Sequence, residues 1–168
     1  MNYKMMGKFI SQILFVEAAF MLPALLISTL ERNIPAMWGF ALSIVITAAA
    51  ALVLYLFCRH AVRRFYAREG LVCVGMSWIF LSLMGCLPFF LSGEIPNYLD
   101  ALFEIVSGFT TTGASILSNV EGLSKGMLYW RSFSHWLGGM GVLVFLLAVG
   151  TKGDKGSGFT LHLLRAES

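Results

Sequence analysis

The residues whose types and spacing suit chemistry are Thr110-Thr111-Thr112-Gly113, set between Gly108 and Ala114-Ser115. A cation that leaves water needs oxygen ligands in place of its hydration shell, and Thr- and Gly-rich loops supply them as rings of backbone carbonyls. Threonines favour extended backbone and add hydroxyl oxygens. A glycine permits φ > 0, so that successive carbonyls turn to the same side. Thr110, Thr111, Thr112 and Gly113 are therefore the candidate ion-binding residues. Two acids precede them. Asp100 falls in the first turn of the apolar stretch ahead of the loop, where it caps the helix or complements its dipole. Glu104 lies nearer the loop, either as a source of negative field or as a hydrogen-bonded brace. Catalytic arrangements do not compete with this reading. Ser132, Ser134 and His135 share one predicted helix. Neighbours on a helix point about 100° apart, so Ser134 and His135 do not pair as nucleophile and base. No Gly-x-Ser-x-Gly sequence occurs. Cys58, Cys73 and Cys86 form no Cys-x-x-Cys pair and read as buried reduced thiols. No enzymatic activity, metal centre or cofactor is expected.

A short helix must position the loop. Residues 98–106 are apolar and helical in character but only about nine residues long, roughly 14 Å against a hydrocarbon core of about 30 Å. Residues 107–115 are predicted to be poor helix, with three adjacent β-branched threonines between glycines. A half-length helix followed by non-helical backbone is the pattern of a re-entrant pore loop; the other reading is an external loop with a short amphipathic helix. Irregular backbone at membrane depth is tolerated only where protein buries it or where it lines a water-filled path. Four flanking runs are long enough to span: residues 9–30, with Glu17 and Pro23; 37–57; 71–91, ending near Pro88; and 126–149. Gly138, Gly139 and Gly141 fall near the middle of the last run, where small residues allow close helix packing or form a flexible point for gating. Arg131 is expected in a structural ion pair. Glu17 has no evident partner in the sequence.

The expected fold is an all-α integral membrane protein with four transmembrane helices, one re-entrant pore helix and a filter loop. Residues 1–70 form a leading helix pair with a cytoplasmic basic loop, 71–150 a helix–pore loop–helix repeat, and 151–168 a Gly-rich cytoplasmic linker. Composition agrees: 58% of the 168 residues are hydrophobic and 12% charged, about half the charge a soluble domain carries. The net charge of +3 matters through its placement rather than as a nucleic-acid signal. With the N-terminus cytoplasmic, Lys4, Lys8, Arg59, Arg63, Arg64, Arg68, Lys152, Lys155 and Arg165 lie inside, and only Arg32, Lys125 and Arg131 outside. The positive-inside rule selects this orientation. The first run follows Lys4 and Lys8 but is too long for a signal-peptide core, so it is expected to be a retained helix.

Several motifs in order resemble the Trk/Ktr/HKT superfamily of potassium transporters. Leu87-Pro88-Phe89-Phe90-Leu91-Ser92-Gly93, Asp100-Ala101-Leu102-Phe103-Glu104 and Ser107-Gly108-Phe109-Thr110-Thr111-Thr112-Gly113-Ala114-Ser115 are similar to its first pore loop. Trp130-Arg131-Ser132 with Trp136-Leu137-Gly138-Gly139-Met140-Gly141 resembles the next signature, and Leu164-Arg165-Ala166-Glu167-Ser168 a cytoplasmic stretch of the Trk branch. The resemblance covers residues 85–168. It implies four helix–pore loop–helix repeats around one potassium path, a leading helix pair in the Trk branch, and potassium held at Thr111, Thr112 and Gly113. Gly113 matches the filter glycine of the first repeat; serine there goes with sodium, glycine with potassium. It also implies a bacterial inner-membrane subunit that forms homodimers on a cytoplasmic nucleotide-binding regulatory ring. One repeat is present here, so the chain is expected to be the N-terminal quarter to third of such a subunit, in the lipid bilayer with the remaining three repeats as partners. The alternative is a non-conducting scaffold or regulatory subunit of a complete transporter.

Overall fold

The structure is a computed structural model that describes residues 3–59 and 67–150. The loop cations Arg63 and Arg64, the Gly-rich linker and the stretch at 164–168 lie outside the described residues. All regular structure among those described is helical: α1 (Tyr3–Leu30), α2 (Ile34–Phe57), α3 (Ala67–Gly85), α4 (Leu87–Leu91), α5 (Tyr98–Phe109) and α6 (Lys125–Gly150), with a 3₁₀ turn at Val120–Gly122. Among the described residues, three helical runs are long and apolar enough to cross a membrane: Tyr3–Leu30, Ile34–Phe57 and Val72–Leu91. α6 has 26 residues.

Local chemistry sets the boundaries. α1 runs unbroken through Pro23. It ends where the Arg32 and Asn33 amides turn back onto the Thr29 and Ser28 carbonyls, with Arg32 at φ 54°. This closure satisfies carbonyls that the helix end leaves free. The Asn33 side chain then accepts from the Ala36 amide at 3.2 Å and caps α2, whose Pro35 stands in the first turn where no N–H is missed. The third run, read from sequence as one helix, breaks at Cys86 into α3 and α4. Pro88 has no N–H and crowds the preceding turn. The carbonyls around the break find other donors: Trp130 Nε1 on Gly85 at 2.9 Å, and Tyr98 Oη on Leu83 at 3.4 Å.

Packing gathers these helices around α5. α1 lies along α2 and also contacts α3 and α6; α5 sits against α6, α3 and α4. One buried cluster, with Trp130, Phe40, Phe89, Phe109, Ile105 and Met21 at its centre, joins all six helices. A smaller one joins α1 to Ala51 and Cys73. Lipid is as apolar as these side chains, so close approach, rather than water exclusion, drives such packing. Ser28, Ser43, Ser77 and Ser82 spend their hydroxyls on carbonyls of their own helices four residues back, so these four donors are satisfied in an apolar setting. The three cysteines are free and buried. Two carboxylates close the start of α6: Glu94 Oε2 accepts from the Ser124 amide at 2.9 Å and Glu31 Oε2 from the Lys125 amide at 3.0 Å. These bonds place the end of α1, the end of α4 and the start of α6 on one side of the bundle.

A braced threonine-glycine loop

α5 has 12 residues, about 18 Å, so it cannot span. It is longer than the sequence suggested: Ser107, Gly108 and Phe109 are helical, and the helix ends at Phe109 rather than Val106. Packing overrides weak propensity here. Gly108 lies against Ser134 and Gly138 against the Phe109 backbone, so α5 and α6 meet at two glycine contacts. A β-carbon on Gly138 would come within 2.7 Å of the Phe109 carbonyl carbon. Gly139 is looser, with Thr111 Cγ2 3.8 Å from where its β-carbon would be, and Gly141 lies against the Trp78 ring, away from the loop.

The helix ends in a backbone closure that fixes the loop. The Thr110 amide bonds to the Val106 carbonyl, Thr111 to Gly108 at 2.9 Å and Thr112 to Ser107 at 3.0 Å. The last two bonds are those of a Schellman motif, whose left-handed residue is usually glycine. Here it is Thr111, at φ 55°. A β-branched residue in that region is rare, and such strain persists only where the surroundings hold it. Gly113 follows at φ 73°, with nothing within 4 Å of a β-carbon placed on it. All four residues, Thr110 to Gly113, are exposed. Among the described residues no hydrogen bond ends on their carbonyls. Thr110 Oγ1 and Thr112 Oγ1 lie 2.8 Å apart.

Glu104 does the holding. It is fully buried, and its two oxygens take three donors: Oε1 accepts from Ser115 Oγ at 2.6 Å and the Ile116 amide at 2.7 Å, while Oε2 accepts from Arg131 Nε at 3.0 Å. One carboxylate thus ties α5, the segment leaving the loop and α6 together. Ser107 Oγ adds a second tie, donating to the Ala114 carbonyl at 2.6 Å. The acid is therefore committed to protein donors on both sides, and Arg131 finds its partner inside the fold. Asp100 stands in the first turn of α5, at the far end from the loop; Asn97 is the cap, accepting from the Leu99 amide at 3.0 Å. His135 lies against its own helix, with Nδ1 2.8 Å from the Arg131 carbonyl. Sequence reasoning missed Ser107 and Ser115. Neither has a spacing that announces a partner.

The chain is similar in sequence to known proteins. The family model described as TrkH, cation transport protein, matches residues 37–165. The Trk system potassium uptake protein TrkH of Halomonas elongata is 34% identical over 151 residues, which is 89% of this chain and 31% of that protein. The Trk system potassium uptake protein TrkG of Escherichia coli is 41% identical over 83 residues, 49% of this chain and 17% of that protein. An uncharacterized cation transporter of Methanocaldococcus jannaschii is 43% identical over 74 residues, 44% of this chain and 16% of its own length. The chain spans about a third or less of the relatives it matches.

Proposed function

The chain belongs to the TrkH family of cation transport proteins, and on that premise we propose that it supplies the first pore-loop repeat of a potassium uptake subunit. It is a multi-pass membrane protein of a transporter family, not an enzyme family. In the proposed arrangement α3 with α4 and α6 are the two spanning elements of the repeat, α5 is the re-entrant pore helix, and α1 and α2 are the leading pair. The carbonyls of Thr110, Thr111, Thr112 and Gly113 form one quarter of the selectivity filter. Three further repeats complete the ring, and the whole subunit pairs as a homodimer on a cytoplasmic nucleotide-binding ring in the inner membrane, N-terminus inside. Potassium is the transported substrate.

The observation that carries this reading is the state of the loop carbonyls. Four successive carbonyls accept no hydrogen bond among the described residues, at the end of a helix too short to span, on a backbone held in a left-handed turn. Oxygens left free in this way are suited to replacing a cation's water. Glu104 supports the loop from behind and leaves the carbonyls available to the ion. The names of the relatives, potassium uptake proteins, support the choice of ion.

The test is to put residues 71–150 in place of the first repeat of a full-length relative and measure rubidium uptake into proteoliposomes. Uptake is expected to persist and to fall by at least tenfold with Gly113→Asp, which sets a carboxylate and a strained backbone in the ion path. Equal uptake with and without the substitution overturns the filter assignment.

A further inference from the structure

Ser107 holds both neighbours of Gly113. Its carbonyl accepts from the Thr112 amide at 3.0 Å, and its hydroxyl donates to the Ala114 carbonyl at 2.6 Å. Ser107 is buried, at 5% exposure, so water competes little for either bond. Gly113, between the two, is otherwise unconstrained: φ is 73° and nothing lies within 4 Å of a β-carbon placed on it. Glycine has a wider choice of backbone conformation than any other residue. The direction of the Gly113 carbonyl is therefore set by its clamped neighbours, and both clamps belong to one residue of α5. Glu104 takes hold only beyond them, at Ser115 and Ile116.

The same hydroxyl bounds the row of open oxygens. On the helix side the backbone closes the carbonyls: Val106 accepts from the Thr110 amide, Ser107 from Thr112 and Gly108 from Thr111, while the Phe109 carbonyl lies against Gly138. On the exit side the Ala114 carbonyl is taken by the Ser107 side chain. The run from Thr110 to Gly113 is left open between them. We propose, on the filter reading of this loop, that Ser107 is a specificity-determining positioning residue: its hydroxyl fixes the Gly113 carbonyl toward the ion and withholds the Ala114 carbonyl from it. Discrimination between cations depends on the number of oxygens that meet the ion and on how they are held. Without the hydroxyl the Ala114 carbonyl is released and Gly113 regains its freedom. The oxygens then close in on the smaller sodium ion, and the preference for potassium falls.

The experiment puts the whole chain in place of the matching segment of a full-length relative and measures rubidium and sodium uptake into proteoliposomes at equal protein. Ser107→Ala is expected to retain rubidium uptake and to lower the rubidium-to-sodium ratio by roughly three- to tenfold, the scale of one lost hydrogen bond. Ser107→Thr keeps the hydroxyl and is expected to keep the ratio. Ser107→Cys keeps the shape of the side chain with a weaker donor. It is expected to lower the ratio too, and it carries the test if Ser107→Ala does not assemble. An unchanged ratio without the hydroxyl overturns the proposal. An equal fall in Ser107→Thr also overturns it, since packing rather than the hydroxyl would then be the cause. Gly113→Asp, run alongside, separates the two readings. Uptake that survives Gly113→Asp removes the filter assignment and this role with it, whereas uptake lost there beside an unchanged ratio in Ser107→Ala removes only the role of Ser107.

Discussion

Glu104 and Thr111 together set the geometry of the loop, and each makes a measurable demand. Glu104 is fully buried and Arg131 nearly so, with 17% of its side chain exposed. Removing one member of such a pair strands the other charge away from water, at a cost of about 3 kcal/mol or more. Glu104→Gln is therefore expected to lower unfolding free energy in detergent by about 3 kcal/mol, and pairing it with Arg131→Met to recover part of that loss, as a denaturant titration of the three variants reads out. Thr111 carries the opposite sign. At φ 55° it stores backbone strain, so Thr111→Gly is expected to stabilise the fold by about 1 kcal/mol while loosening the loop and lowering cation discrimination. Thr111→Val keeps the strain and is expected to give no such gain. Residue type made the loop legible: three threonines and a glycine stand out in an apolar chain. The brace was only half legible. Glu104 and Arg131 are 27 positions apart and Glu104 and Ser115 are 11 apart, separations that no local periodicity reveals. The left-handed Thr111 was not legible at all, because threonine there runs against its own preference.

At the scale of elements, length and hydropathy carried the spans, and their ends shifted where packing or proline chemistry prevailed. Pro23 leaves α1 continuous, yet Pro88 goes with a break, because near Pro88 Trp130 and Tyr98 supply donors to neighbouring carbonyls. α5 continues to Phe109 because Gly108 and Gly138 let α6 approach closely enough to bury that extra turn. The glycine cluster thus divides by contact rather than by position. Gly138 touches backbone, which cannot move aside, whereas Gly139 faces only a threonine methyl at 3.8 Å. Gly138→Ala is expected to cost about 1–3 kcal/mol and to displace α5 from α6. Gly139→Ala is expected to be neutral or to gain up to about 1 kcal/mol from better helix propensity. Thermal unfolding of the two single variants in one detergent separates them. Equal losses would mean that the cluster acts as a unit, as a hinge requires.

For the whole molecule the open question is direction. The turn between α1 and α2, the end of α4 and the start of α6 are held on one side by the bonds from Glu31 and Glu94 to the α6 amides. α5 starts just beyond α4, so the loop is approached from that same side. The proposed orientation rests on charge. Lys4, Lys8 and Arg59 lie at the opposite end from Arg32 and Lys125. Arg131 drops out of the comparison, since Glu104 neutralises it inside the fold. Removing it sharpens the asymmetry that the positive-inside rule reads, and the proposed orientation has the loop side outward. The three native cysteines are buried, so an introduced thiol reports its own side. Ser118 is exposed on the segment after the loop and Lys4 is exposed near the start of α1. In right-side-out vesicles, Ser118→Cys is expected to react at once with a membrane-impermeant maleimide, and Lys4→Cys only after permeabilisation. The reverse pattern would turn the chain over and set the short helix entering from the cytoplasm. The Thr-Gly loop would then face the cell interior, and the route proposed for the ion would have to be redrawn.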